Sequence, residues 1–335
     1  MGYLPVSWII ASCILTPVIA FLLSIFYSYE YRKVAARLQG RRGPYLIVPK
    51  EARALLGLSR VWQPLYDILK LLYKETLVPA TAKKTLFKAA PYVALASLVA
   101  TSLFVPIAGF SPFGEFDFSL IVILYLLLLM PLSFIVGGSA SSSPWGVYGA
   151  QREVELTLAF EVPQTLGMFA LAITANTLSV THLIEFQNQT LPFIILNPFA
   201  ALAVFAALVG KLQVKPFDIS EAEVEIVAGP VTEYTGKLLG IVEIVKTLLA
   251  FLIPALFINL FLGGGIVRTT YLNPPLSITL FLVETLIIVF LIALLHVYSP
   301  RFRVDQAFTW FLKYPVLLGV IAVIWAYVTR YLGLV

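Results

Sequence analysis

Eight stretches of about twenty apolar residues, each the length that a helix needs to cross a hydrocarbon layer, dominate this chain. They run over Pro5–Tyr27, Leu86–Phe110, Phe118–Val136, Val154–Ala175, Leu191–Leu212, Leu238–Leu262, Ile278–Val297 and Thr309–Tyr331. Composition agrees: 60% of the 335 residues are hydrophobic and only 12% are charged, about half the charge of a soluble domain. A soluble globular fold and a disordered chain are both excluded. The spans leave no room for a sizeable soluble domain. The expected fold is therefore an all-α integral membrane protein with about eight transmembrane helices, forming one membrane domain over residues 1–335. Its start, Met1–Phe26, lacks a basic leader and a small-residue cleavage site, so it reads as the first span and not as a removable signal.

The loops divide by charge. Twelve Lys and Arg lie between Arg32 and Lys84 in the first loop. The third loop carries Arg152, the fifth Lys211, Lys215 and Lys237, and the seventh with its flank Arg301, Arg303 and Lys313. Among Lys and Arg, the opposite face holds Arg268 and Arg330. The positive-inside rule places the odd loops in the cytoplasm and both termini on the outer side of the cell membrane. Residues 28–85 then form a cytoplasmic loop, and residues 213–237 form an acidic one. Within the first loop, Leu65, Ile68, Leu69, Leu72 and Tyr73 recur at helical spacing after Pro64. That pattern predicts an amphipathic helix lying at the membrane surface.

Redox chemistry cannot reside in this chain alone. One cysteine, Cys13, and two histidines, His182 and His296, are too few for an iron–sulfur cluster, a zinc site or paired haem ligands. Walker A, GxGxxG, GxSxG, HExxH and CxxC motifs are absent, and no metal site is expected. The basic balance reflects topology, not binding to nucleic acid.

Charges inside the bilayer cost at least about 2.5–3.5 kcal/mol each and are commonly functional. Three groups stand out. In the fourth span, Glu153, Thr157 and Glu161 follow one another at i, i+4 and i+8 and so line one helix face, with Pro163 freeing a carbonyl near Ala159. This polar stripe reads as a proton path; the alternative is that Glu153 pairs with Arg152 at the interface and only Glu161 is buried. In the fifth loop, Asp218, Glu221, Glu223, Glu225 and Glu233 place five carboxylates within 16 positions. On a helix, Asp218, Glu221 and Glu225 would share a face, and the interleaved Ile219, Val224, Ile226 and Val227 imply that the loop folds inward. In the third group, Glu243 and Lys246 could pair at i, i+3, whereas Glu284 must find its partner on another helix or in water. The arginines of Pro300-Arg301-Phe302-Arg303 face the same side as the loop acids and could pair with them.

Four separated blocks carry a resemblance. They are Arg42-Gly43-Pro44 with Gln63-Pro64, Asp67, Lys70, Lys74 and Glu75; Gly149-Ala150, Arg152 and Glu161-Val162-Pro163; Pro216-Phe217-Asp218 through Glu221-Ala222-Glu223, Glu225, Val227-Ala228-Gly229, Thr232-Glu233-Tyr234 and Gly236; and Pro300-Arg301, Arg303 and Asp305-Gln306. In this order they resemble one complex I family, that of the membrane subunit joining the peripheral arm of respiratory complex I to its membrane arm. They also resemble the homologous subunit of membrane-bound [NiFe] hydrogenases and related ferredoxin-driven complexes. The resemblance implies a non-catalytic anchor and ion-path subunit of an energy-converting redox complex. It places Glu161, Asp218, Glu221, Glu223 and Glu225 along a funnel. Arg42, Gly43, Pro44, Gln63, Asp67, Lys70, Arg301, Arg303 and Asp305 would lie near a chamber and the docking surface for the peripheral arm.

Departures from the pattern choose the branch. Complex I members follow the Gly-Pro with Asn; here Tyr45 stands there. The link to Gln63 is longer, with Lys50-Glu51-Ala52-Arg53-Ala54-Leu55-Leu56-Gly57, and Glu153 and Glu155 stand where complex I members carry small or neutral residues. These features favour the hydrogenase-type branch over a quinone site. The implied partners are hydrogenase-like large and small subunits, an iron–sulfur subunit, antiporter-like membrane subunits and membrane lipid. The partners, not this chain, would carry iron–sulfur clusters and a NiFe centre. The alternatives are a quinone-chamber subunit of a complex I-type oxidoreductase and a free-standing secondary transporter; the lack of an internal repeat speaks against the transporter.

Overall fold

A computed structural model describes residues 6–44, 61–265 and 274–332. Among them the chain is helical throughout, with a single isolated bridge between Ile107 and Phe110. Tyr45, the Lys50–Gly57 link, Arg60 and Arg268 lie outside the described residues.

Six long helices match predicted spans: α1 (Val6–Leu38), α3 (Lys84–Phe104), α4 (Ser119–Ala140), α5 (Pro144–Ala175), α10 (Gly236–Phe261) and α11 (Pro274–Tyr298). A seventh crossing, Val304–Tyr331, is broken at Tyr314 into α12 (Val304–Lys313) and α13 (Pro315–Tyr331). Pro315 opens α13, where its missing N–H leaves no bond unmade. Two helices overrun their predicted spans. α1 continues past Tyr27 to Leu38, and α5 begins ten residues before Val154. With 33 and 32 residues, each is about 50 Å long, well beyond a ~30 Å hydrocarbon layer. The polar ends therefore stand clear of the lipid, and that is where Arg37 and Arg152 sit.

The fifth predicted span, Leu191–Leu212, is not one helix. It splits into α7 (Phe193–Leu196) and the 14-residue α8 (Pro198–Lys211). Pro198 cannot donate to the carbonyl four residues back and would clash with it, so the helix must restart here. The break is stitched closed. Asn197 Oδ1 accepts from Ala200 N at 3.1 Å and caps α8, and its Nδ2 donates to the Ala322 carbonyl of α13 at 2.9 Å. Trp325 Nε1 takes up the Leu196 carbonyl at 2.9 Å. The loop before it contains α6 (Val180–Gln189). Gln187 of α6 donates to the Asn259 carbonyl of α10 at 3.0 Å, and Asn259 donates to Pro106 at 2.7 Å.

α10 forms the axis of the bundle. From Thr247 to Phe261 every residue except Ala250 is buried, so this helix is apolar all round, as a core helix must be. α1, α3 and α11 pack around it, and α5 packs against α4, α8 and α13. The predicted surface helix is present as α2 (Gln63–Tyr73), which turns Pro64 and Ile68 inward against α10 and leaves Tyr66, Leu69 and Tyr73 exposed.

On the basic face, the chain between α8 and α10 folds down between helices. It contains the single-turn α9 (Glu223–Ile226) and a 3₁₀ turn over Gly229–Val231. That turn lies directly on glycines of α4 and α5. A Cβ on Gly149 would come within 2.6 Å of Pro230 N, and one on Gly138 within 2.9 Å of Pro230 Cα. Tyr234 fixes the end of the segment: its ring stacks on Phe87 with centroids 4.3 Å apart, and its hydroxyl donates to the Phe87 carbonyl at 3.0 Å. Burial raises the Tyr234 pKa and keeps it a donor.

Replacing Asn197 with Ala removes a cap and an interhelical bond together. A loss of about 1–2 kcal/mol is expected, read as a lower Tm of the detergent-solubilised protein, while Asn197→Asp keeps the cap and recovers part of the loss. Gly149→Ala pushes against backbone that cannot yield, and an overpacking cost of about 1–3 kcal/mol should appear in the same measurement.

Candidate functional site

The acidic segment that follows α8 is tied to three different helical regions by ion pairs. Asp218 meets Arg301, in the link before α12, at 2.5 Å. Glu221 meets Lys246 of α10 at 2.5 Å. Glu225 meets Arg152 of α5 at 2.6 Å, and the same guanidinium reaches the Ile219 carbonyl at 3.4 Å. The Phe302 amide bonds the Pro216 carbonyl at 3.1 Å and closes the connection to the seventh loop. Below this layer a fourth pair joins α5 to α8: Glu161 and Lys211 lie 2.8 Å apart, with the Lys211 side chain 1% exposed.

α5 presents the stripe that its spacing predicts. Glu153 is 1% exposed and Thr157 is buried, and Ser220, Gln213, Glu221 and Lys246 surround the Glu153 carboxylate. Glu153 Oε2 and Thr157 Oγ1 have no hydrogen-bond partner within the protein. A cavity of ≈ 240 Å³ opens beside this cluster among α1, α4, α10 and α11. Tyr31, Arg32, Glu221, Glu243 and Lys246 form its polar wall, and Met130, Phe134, Leu249 and Ile292 its apolar wall. The site thus combines carboxylates, cations and an amphipathic space on the basic side of the bundle, an arrangement suited to passing charge. No group of three or more His, Cys, Asp or Glu side chains is placed to hold a metal among the described residues.

The profile of the family described as NADH dehydrogenase (NADHdh) matches residues 10–327, nearly the whole chain. The chain belongs to the NADH dehydrogenase family. Curated relatives are subunits of NADH-quinone oxidoreductase. That of Syntrophotalea carbinolica is 32% identical, with 88% of this chain and 88% of the relative covered. That of Dehalococcoides mccartyi is 28% identical over 88% and 80%, and that of Chlorobaculum tepidum 28% over 91% and 88%. Among solved structures, a chain of the membrane-bound sulfane sulfur reductase, described as an archaeal respiratory membrane complex, superposes with a TM-score of 0.83 at 26% identity. That match covers 95% of this chain and 99% of the other. This protein is therefore a multi-pass membrane subunit of the complex I type.

Within this NADH dehydrogenase family fold, several pairings differ from the sequence expectation. Arg152 turns to Glu225 and not to Glu153, which leaves Glu153 as the most deeply buried acid of the stripe. Lys246 takes Glu221 at 2.5 Å and not Glu243, three residues away on the same helix. Asp218 and Glu221 do not share a helix with Glu225; the chain is in turns until α9 begins, and the shared face does not form. Glu233 and Glu243 are part-buried and make no ion pair among the described residues. Glu284 of α11 is part-buried and stands apart from the cluster, with Oε2 unbonded. The Glu223 side chain lies outside the described residues.

The docking set is dispersed over the basic face. Asp67 pairs with Arg32 at 3.2 Å across α2 and α1. Lys70, Arg42, Arg303 and Asp305 are exposed, and Arg303 uses its backbone amide to bond Gln306 Oε1 at 3.2 Å. Gly43 takes φ +76° and folds the chain back against α1, with Pro44 following. Gln63 lies at the start of α2 with Oε1 buried and unbonded. Arg301 alone of this set joins the acidic cluster.

Two important residues escape a reading of acids. Lys211 looks topogenic at the end of an apolar run, yet it is buried. Gln164, 0% exposed on α5, has neither amide atom bonded; an uncompensated buried amide costs about 1–3 kcal/mol by protein mutational data. Its position at i+11 from Glu153 continues the stripe and was the available signal.

Lys211→Met leaves Glu161 without its counter-ion. We expect a loss near the lower end of about 3–5 kcal/mol, read as a lower Tm, with most of it restored in the double variant Lys211→Met/Glu161→Gln.

Proposed function

We propose that this chain is the membrane anchor and ion-path subunit of an energy-converting redox complex of the membrane-bound hydrogenase type. In this reading a peripheral arm of hydrogenase-like large and small subunits and an iron–sulfur subunit takes electrons from ferredoxin and reduces protons or a sulfur compound. Antiporter-like membrane subunits complete the membrane arm, and the partners carry the iron–sulfur clusters and a NiFe centre. The basic face is cytoplasmic, and both termini lie on the outer side of the cell membrane.

One observation carries the proposal. A line of paired and unpaired charges, Asp218–Arg301, Glu221–Lys246, Glu153 and Glu161–Lys211, descends from the basic face into the bundle. Proteins retain such charges in lipid when they serve transport, because desolvation is otherwise unrewarded. The likeness to the sulfane sulfur reductase chain and the Tyr45 departure support this branch. The quinone-chamber reading is supported by the amphipathic cavity. At ≈ 240 Å³, that cavity is below the roughly 300–1,000 Å³ of sites for drug-sized ligands.

Purified complex in vesicles should couple ferredoxin oxidation to an ion gradient with no added quinone; strict quinone dependence overturns the branch assignment. Glu161→Gln and Glu221→Gln should lower the ions moved per electron several-fold while the complex still assembles. Unchanged pumping in both variants removes these residues from the path.

A further inference from the structure

Lys211, Thr157 and Gln164 pose a bonding problem that the protein does not solve by itself. Lys211 has three N–H donors; its ammonium lies 2.8 Å from Glu161 Oε1 as an ion pair, and neither atom makes a hydrogen bond within the protein. Thr157 Oγ1 and both amide atoms of Gln164 are buried without partners. All three side chains lie below 5% exposure, so no neighbouring protein can reach them; only a small molecule can.

Register shows where such molecules fit. Lys211 stands opposite Glu161, and Gly167 packs on Val204 of α8. The antiparallel helices therefore bring Gln164 level with Ala207 and Leu208, which offer no polar group. Thr157 lies four residues before Glu161 and Gln164 three residues after it, on nearly the same face. Lys211 thus sits between an unbonded hydroxyl on one side and an unbonded amide on the other, with its own N–H donors unbonded. Thr157 and Gln164 are about 10 Å apart along the axis, too far for one molecule to serve both.

The chemistry selects water. A metal cation needs acceptors only, and here the Lys211 ammonium and the Gln164 N–H₂ would repel it. Water donates and accepts, and a buried water is satisfied by two to four such partners.

We propose that the Glu161–Lys211 pair is flanked by two internal water sites, one shared by Lys211 with Thr157 and one shared by Lys211 with Gln164. The first links Glu161 toward Glu153, which lies about 12 Å away along α5 and cannot contact it directly. The second makes Gln164 a positioning residue that gives Lys211 an alternative bond when Glu161 takes up a proton, and carries the polar line about 16 Å inward from Glu153. The water sites follow from burial and bonding alone; their part in conduction rests on the proposed function.

The test is a water-resolving cryo-EM map of the whole complex in lipid, for wild type and for Thr157→Val and Gln164→Leu, with ion-to-electron ratios from the same preparations. The wild-type map should show density within hydrogen-bond distance of Thr157 Oγ1 and Lys211 Nζ, and separately of the Gln164 amide and Lys211 Nζ. Each variant should lose only its own water. Gln164→Leu should lower the ion-to-electron ratio several-fold at near-normal electron transfer, and Gln164→Asn should recover part of it. A wild-type map in which Gln164 and Thr157 bond protein atoms with no water overturns the proposal, even where a variant fails to assemble. Waters in place with an unchanged ratio in Gln164→Leu overturn the positioning role. Waters in place with normal pumping in Glu161→Gln overturn the ion path and leave the water sites standing.

Discussion

The attachment of the acidic segment by ion pairs organises the whole basic face. Asp218, Glu221 and Glu225 are spaced so that each meets a cation from a different element: the link before α12, then α10, then α5. The Asp218 and Glu221 pairs are part-buried and the Glu225 pair is exposed, and their net contribution to stability is modest. Their effect is on arrangement. A loop anchored at three points cannot drift, so the 3₁₀ turn behind it stays seated on the bare faces of α4 and α5, and Tyr234 stays against Phe87. Glu153 is buried by that seating, and Glu221 of the segment joins the polar wall of the cavity.

Where the sequence was legible, the reason was bulk physics. Apolar length decides what crosses a bilayer, so six spans and the surface helix α2 could be placed without any tertiary information. The overruns of α1 and α5 follow from the same rule read the other way: a helix whose end is polar need not stop at the lipid boundary. The break at Asn197-Pro198 was visible as a capping residue followed by proline, but an unbroken apolar run concealed it. Pairing was hidden for a different reason. Arg152 has Glu153 beside it in sequence, and Lys246 has Glu243 one turn away, yet both choose a loop acid that only the folded chain brings near. Lys211 and Gln164 carry no acid signature, whereas the stripe on α5 is defined by its helical phase and includes any polar group on it.

Membership of the NADH dehydrogenase family and the likeness to the sulfane sulfur reductase chain agree on the architecture. Charged residues of this chain form the proposed ion path. The chain holds a descending series of ionisable groups and, outside it, an amphipathic cavity that shares Glu221 and Lys246 with the series. Any partner or ligand that alters the cavity therefore meets the same two side chains that form the second pair of the line.

The long sequence separations of these pairs have a consequence for how the protein is made. Arg152 waits 73 residues for Glu225, and Asp218 waits 83 residues for Arg301. At cellular synthesis rates each interval is on the order of ten seconds. During that time α4 and α5 have entered the membrane with an open groove of glycines and a charged stripe. The groove closes when the segment before α10 arrives, and Asp218 meets its counter-charge only after α11 has been inserted. Assembly of the basic face is thus completed late in biosynthesis, and truncation between α10 and Arg301 leaves Asp218 without its counter-charge.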